Sequence, residues 1–216
     1  MITWSNFVSQ LFNGLALGAL LALISSGLTI IYGTLGVLNL AQGAMFMLGG
    51  YAGFAAYAAT GSFVVAVAAG SITLLVVGVG VERVLVRHFY QRPHEDQLLV
   101  TFGLAICMVE AVRFFVGSES RTVPAPAALS GITPLGFAFY PTYRIALMGI
   151  IAVALLALWV LLYRTRLGMI VRAGIEDAVM VDSLGINVYR VFMIVFGIGS
   201  MAAGFAAFSR CKYSRN

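Results

Sequence analysis

Two adjacent carboxylates, Glu176 and Asp177, stand in the one long polar interval of the second half of the chain, Arg164 to Arg190 (RTRLGMIVRAGIEDAVMVDSLGINVYR). With Arg172 and the amide of Asn187 they can form ion pairs and hydrogen bonds with another protein. They cannot form a catalytic relay, because no hydroxyl or carboxylate is placed with a histidine in triad-like order, and no G-x-x-x-x-G-K-[ST] phosphate loop occurs. A second polar group, Asn39 and Gln42 beside Gly43, interrupts an apolar run. A third, His88, His94, Glu95 and Asp96, offers ligand types for a metal, but its spacing matches no compact ligand pattern and it reads as a solvated loop. No catalytic, metal or cofactor site is expected.

The elements that must position these groups are membrane helices. The 216 residues are 61% hydrophobic and only 10% charged, with a mean hydropathy of +0.99, too apolar for a soluble domain of this size. No Asp, Glu, Lys or Arg precedes Glu82. The net charge of +5 comes from arginines in short groups at the ends of apolar runs, the pattern of positive-inside loops and not of a nucleic-acid stripe. Two cysteines, Cys107 and Cys211, are too few for a disulfide framework.

About six apolar segments follow one another, each long enough to approach or cross a hydrocarbon core of ~30 Å: Val8 to Tyr32, Leu35 to Thr60, Ser62 to Val81, Gln97 to Val116, Ile145 to Tyr163 and Val191 to Phe208. The fold class is therefore all-α, a polytopic membrane helix bundle. Gly14 and Gly18 form a G-x-x-x-G in the first segment, although ordinary packing explains them as well. In the second, two amides among glycines suggest a broken or re-entrant helix; Asn39 and Gln42 either bond a neighbouring helix or line a substrate path. Glu110 and Arg113 are spaced to pair on one helix face. Gly117 to Tyr143, which holds four of the five prolines, reads as a long external loop, whereas the stretches after Glu82 and after Arg164 read as cytoplasmic.

Within the cytoplasmic interval, Val171, Ile175 and Val179 recur every four residues while Arg172, Glu176 and Asp177 take other faces. The spacing predicts one amphipathic helix over Val171 to Leu184, ended by Gly185, with Asn187 capping the next helix through the amide of Arg190 or its neighbour. An acidic pair is a poor choice for lying on anionic headgroups, so a protein groove is the better seat. The tail from Ser209 to Asn216 is basic, contains the only lysine and, by counting crossings, falls outside; it reads as an aberrant end left by truncation or a frame change.

The stretch RAGIEDAVMVDSLGINVYRV resembles the cytoplasmic loop of ABC-transporter permease subunits of the branched-chain amino acid (LIV) type, with Glu176 followed nine positions on by Gly185. GLTIIYGTLGVLNLAQGAMFMLGGY, Gly27 to Tyr51, is similar to the N-terminal signature of that family, and Glu82-Arg83 falls at its Glu-Arg pair. Gln42 stands where many members have histidine, and the family usually continues through further apolar segments. The resemblance implies a permease domain over residues 1–208, C-terminally incomplete, with a coupling loop at 164–190 and the odd tail at 209–216. It implies a multi-pass subunit of the bacterial inner membrane, importing branched-chain amino acids or similar small neutral or zwitterionic solutes. Its partners would be ATPase subunits, a second homologous permease subunit and a periplasmic substrate-binding protein, with ATP hydrolysed on the ATPase subunits. ATPase coupling would fall to Arg172, Glu176, Asp177, Gly185 and Asn187, and the substrate path to Asn39, Gln42 and Gly43. An ion-coupled secondary transporter or channel, or a truncated permease without function, are the alternatives; the first needs an intramembrane acid or base or a clear internal repeat.

Overall fold

The computed structural model describes residues 4–90, 92–117, 132–134 and 139–209. Helix α1 (Trp4–Leu35) is followed after an irregular stretch by α2 (Gln42–Thr60), and Gly61, in the left-handed conformation at φ 66°, turns the chain into α3 (Phe63–Val84). A 3-10 turn (Val86–Phe89) leads to α4 (His94–Val116). Two three-residue strands, β1 (Ile132–Pro134) and β2 (Phe139–Pro141), pair antiparallel with Ile132 opposite Pro141. Then come α5 (Thr142–Arg164), the short α6 (Arg166–Glu176) and α7 (Ala178–Ser183), and α8 (Val188–Ser209). Apart from that small strand pair, the described residues form the expected all-α bundle.

Five helices among the described residues are long and apolar enough to cross a membrane: α1, α3, α4, α5 and α8. The second segment differs, as its amides suggest. Its first residues, Gly36 to Ala41, are not helical, and α2 begins only at Gln42. Gln42 lies level with Gly27 of α1 and Gly199 of α8, so the chain climbs back into the bundle before α2 starts.

In lipid the hydrophobic effect does not drive helices together, and small residues that let backbones approach do much of the work. The centre of this bundle follows that rule, with α3 against α8 its most extensive contact and α1 and α2 completing a four-helix core. A Cβ on Gly204 would stand 2.6 Å from the carbonyl oxygen of Gly70, one on Gly70 would stand 2.8 Å from that of Gly49, and one on Gly49 would stand 2.9 Å from Cα of Gly204. Three glycines from α2, α3 and α8 thus close on one another. Gly27 and Gly199 do the same between α1 and α8, where a Cβ on Gly199 would stand 2.7 Å from the Gly27 carbonyl oxygen. Around these contacts Ile31, Met45, Leu74 and Phe196 fill one apolar layer, and Leu20, Leu23, Leu147 and Ile151 another between α1 and α5. Helices α4 and α5 bury little of themselves within the chain.

The G-x-x-x-G of the first segment plays no part in this core, since a Cβ at Gly14 or Gly18 would meet nothing within 4 Å. Glu110 and Arg113 pair as their spacing predicts, at 2.7 Å and exposed. Trp159 and Tyr163 stack near the inner end of α5 with ring centroids 5.8 Å apart. Most of the loop after Gly117, together with Cys211 and all of the tail from 210 onward, lies outside the described residues.

Replacing Gly204 by leucine must push α8 off α3 and α2, an overpacking cost of roughly 1–3 kcal/mol or more. The Gly204→Leu protein in detergent should therefore melt well below wild type, while Gly14→Leu should melt within a degree or two of it. Equal melting of the two variants would refute the central role of the glycine contact.

Candidate functional site

The polar interval begins where α5 ends. Thr165 is extended and its hydroxyl accepts a hydrogen bond from the Gly168 amide at 3.3 Å, the N-cap of α6. Gly168 lies so close to the carbonyl of Leu162 that no side chain fits there, which lets α6 fold directly back on α5. Arg172 fastens the same corner: its Nη1 donates to the Leu162 carbonyl oxygen at 2.8 Å, and its guanidinium lies over the Tyr163 ring, 5.4 Å from the centroid. Arg172 is thus committed to α5. The inward face of α6 is Gly168, Val171 and Gly174, with Gly174 against Val188 and Phe192 of α8.

The single helix expected over Val171 to Leu184 is in fact two. Asp177 is extended (φ −150°, ψ 96°); it ends α6, and its Oδ1 accepts from the Met180 amide at 2.9 Å, capping α7. A short carboxylate offers the backbone an alternative to continuing the helix, and here that alternative wins. The predicted apolar face fails for the same reason: Val171 is buried, but Ile175 is half exposed, and Val179 belongs to the next helix. Gly185, at φ 80°, terminates α7 as expected. Asn187 Oδ1 accepts from the Arg190 amide at 3.1 Å and caps α8, also as expected. Glu176, Met180 and Leu184 are left exposed, the last two at 63% and 70%.

The other group divides. Asn39 and Gln42 are buried together, whereas Gly43 is exposed and a Cβ there would meet nothing within 4 Å. Asn39 Oδ1 accepts from the Ala41 amide at 3.1 Å, and its Nδ2 donates to Gln42 Oε1 at 3.4 Å; Gln42 Nε2 donates to the Gly199 carbonyl oxygen at 3.2 Å. Leaving such an amide unpaired costs roughly 2–7 kcal/mol, so the network holds the irregular stretch in the bundle. The Thr101 hydroxyl of α4, whose nearest acceptor is the Gln97 carbonyl oxygen of its own helix at 2.9 Å, also lies 3.1 Å from the Leu38 carbonyl oxygen.

A cluster that sequence reasoning did not assemble lies at the end of the bundle where the arginines collect. Glu82, in the last turn of α3, is only 2% exposed, and its Oε1 accepts from the Tyr90 hydroxyl at 2.6 Å. Burial pushes the Tyr90 phenol far above its ordinary value, and donation to Glu82 adds to the shift, so it stays a protonated donor. The Tyr90 ring stacks on Tyr189 (centroids 6.4 Å apart) and meets Phe192 edge-on (6.0 Å), while the Arg87 guanidinium lies 4.6 Å from the Tyr189 centroid. Gln97 Nε2 donates to the carbonyls of Phe89 and Arg92 at 3.0 and 3.1 Å, holding the connecting turn. The signal in the sequence was Glu82 itself: the first charge of the chain, at the end of an apolar helix, requires a donor. Between this cluster, the end of α1 at Tyr32 to Gly36, and Gly174, Ile175 and Asp182 lies an open cavity of about 1070 Å³.

Residues 10–212 match the family described as the permease component of the branched-chain amino acid transport system. The chain is 33% identical to the high-affinity branched-chain amino acid transport system permease protein LivH of Escherichia coli (strain K12), over 93% of this chain and 69% of LivH. It is equally similar, with the same coverage, to LivH of Salmonella typhimurium (strain LT2). It is 28% identical to the permease protein BraD of Pseudomonas aeruginosa, over 94% of this chain and 70% of BraD. No solved structure matches it.

Asp177→Ala removes the cap of α7 at a cost of about 1 kcal/mol. Amide hydrogen exchange at Met180 should accelerate by about fivefold, and Asp177→Asn, which caps equally well, should restore the wild-type rate. Unchanged exchange in the alanine variant would show that α7 does not depend on this cap.

Proposed function

The chain belongs to the family of branched-chain amino acid transport system permease components, and from that membership we propose that it is one membrane subunit of an ATP-driven importer. In this reading it lies in the bacterial inner membrane beside a second, homologous permease subunit. ATPase subunits bind on the cytoplasmic side, a periplasmic binding protein delivers substrate on the other, and ATP is hydrolysed on the ATPase subunits. The arginine-bearing end of the bundle is the cytoplasmic one by the positive-inside bias.

The observation that carries the docking assignment is the exposed set Glu176, Met180 and Leu184 on a segment fastened at both ends. Apolar side chains outside the membrane helices and exposed to this degree, rimmed by Glu176, Asp177 and Asp182, suit a groove in a soluble partner. The fastenings supply the lever: Arg172 and Gly168 tie the segment to α5, and Gly174 and the Asn187 cap tie it to α8. When the ATPase subunits close on ATP, a seated α6–α7 pair moves with them and carries α5 and α8, tilting the helices that border the path. That is a rigid-body coupling between two sites. Asp177, Gly185 and Asn187 shape the segment, Glu176 meets the partner, and Arg172 transmits to α5.

The substrates consistent with this bundle are small and neutral or zwitterionic. Branched-chain amino acids come first, and urea and short amides share the requirement. In this assignment Asn39 and Gln42 border the path and hold its irregular wall, and Gly43 is the weaker member of the group because it is exposed while they are buried. No aspartate, glutamate, lysine or arginine stands in the first eighty-one residues to select an ion.

A Glu176→Lys, Asp177→Asn double variant reverses the charge at the docking face while keeping the α7 cap. It should insert into the membrane at wild-type levels and lose co-purification with the ATPase subunits by at least about tenfold, the loss expected of a contact worth 1.4 kcal/mol. Full co-purification and uptake would refute the assignment of the docking face.

A further inference from the structure

Two polar stretches far apart in the chain meet at the cytoplasmic end, where Arg87 and Tyr90 of the first reach the start of α8. Among the described residues, no backbone hydrogen bond links the turn after α3 to the segment before α8. Tyr90 is tied to α3 as well: its hydroxyl donates to the buried Glu82 at 2.6 Å while its ring stacks on Tyr189 and meets Phe192 edge-on at the start of α8. Phe192 in turn lies against Gly174 of α6, so the contact continues into the segment assigned to ATPase docking.

We propose that Tyr90 is a positioning residue that transmits displacement of the docking segment to α3, with Glu82 as its anchor. The inference rests on the docking reading above. The glycine contacts of α8 with α3 and α2 sit further along α8, around Gly197 to Gly204, and leave its first turns to be located by other means. Tyr90 supplies that location: a ring is held by ring faces and edges that tolerate small sliding, but a phenol hydrogen-bonded at 2.6 Å to a buried carboxylate has a fixed end. Movement of Tyr189 and Phe192 therefore turns Tyr90 about its hydroxyl and pulls on the last turn of α3. Arg87 over Tyr189 closes the cluster from the side of the turn.

The test uses the complete importer, with its ATPase subunits and binding protein, in proteoliposomes, and reads amino-acid uptake per ATP hydrolysed. Tyr90→Phe keeps every ring contact and removes the fixed end. It should co-purify with the ATPase subunits as wild type does and hydrolyse ATP, but its uptake per ATP should fall by about tenfold, a usual size for coupling between sites. Glu82→Ala should behave alike, whereas Glu82→Gln, which retains an acceptor oxygen for Tyr90, should keep uptake per ATP within about twofold of wild type. An unchanged ratio in Tyr90→Phe overturns the proposal and leaves docking intact, as does a fall explained by lost assembly. Failure of the wild-type chain to bind the ATPase subunits overturns the docking reading, and this inference with it.

Discussion

The approach of α2, α3 and α8 at Gly49, Gly70 and Gly204 is the constraint on which the rest of the bundle depends. Backbone meets backbone there with no room for a methyl group, so van der Waals contact and carbonyl dipoles do what hydrophobic burial does in water. Because α8 is held there along its second half, its direction is set, while its first turns are located by Tyr90 and Gly174. The same close approach recurs at Gly27 and Gly199, which brings α1 beside α8 at the level where Gln42 donates to the Gly199 carbonyl.

That level is also where the chain gives up helical hydrogen bonds. Between Gly36 and Ala41 the backbone must find partners elsewhere, and Asn39 supplies one by accepting from the Ala41 amide. Irregular backbone is tolerated at membrane depth only where protein or a water-filled cavity surrounds it. The amides of Asn39 and Gln42 are therefore required by the break whatever else they do. Their burial is compatible with a wall of the path, and their hydrogen bonds account for their presence without one.

Much of this was legible in the sequence because lipid imposes simple rules. Apolar length placed the six segments, and two amides among glycines marked the second as irregular. Gly185 and Asn187 marked a helix end and a helix start. What remained hidden depended on partners distant in sequence. Gly14 and Gly18 have the spacing of a packing motif and touch nothing, whereas Gly70 and Gly204 have no mutual spacing at all and carry the core. Asp177 was read for its charge, when its reach to the Met180 amide decides where one helix becomes two. Tyr90 gave no signal of its own, because a tyrosine near a membrane end is ordinarily an interface anchor.

The division at Asp177 changes how a force on the segment would be shared. A single helix from Val171 to Leu184 would act as one rod attached to α8. Instead α6 is fastened to α5 through Gly168 and Arg172, and to α8 through Gly174. Helix α7 stands between an extended residue, Asp177, and a left-handed one, Gly185, two places where backbone angles can change without breaking a helix. In the proposed importer α7 can therefore adjust to the partner's groove while α6 keeps its register against both membrane helices. Helix α8 belongs to the glycine-locked core, and α5 buries little of itself in this chain. Of the two, α5 is the freer to tilt, so relative motion between α5 and the core is the motion this architecture favours.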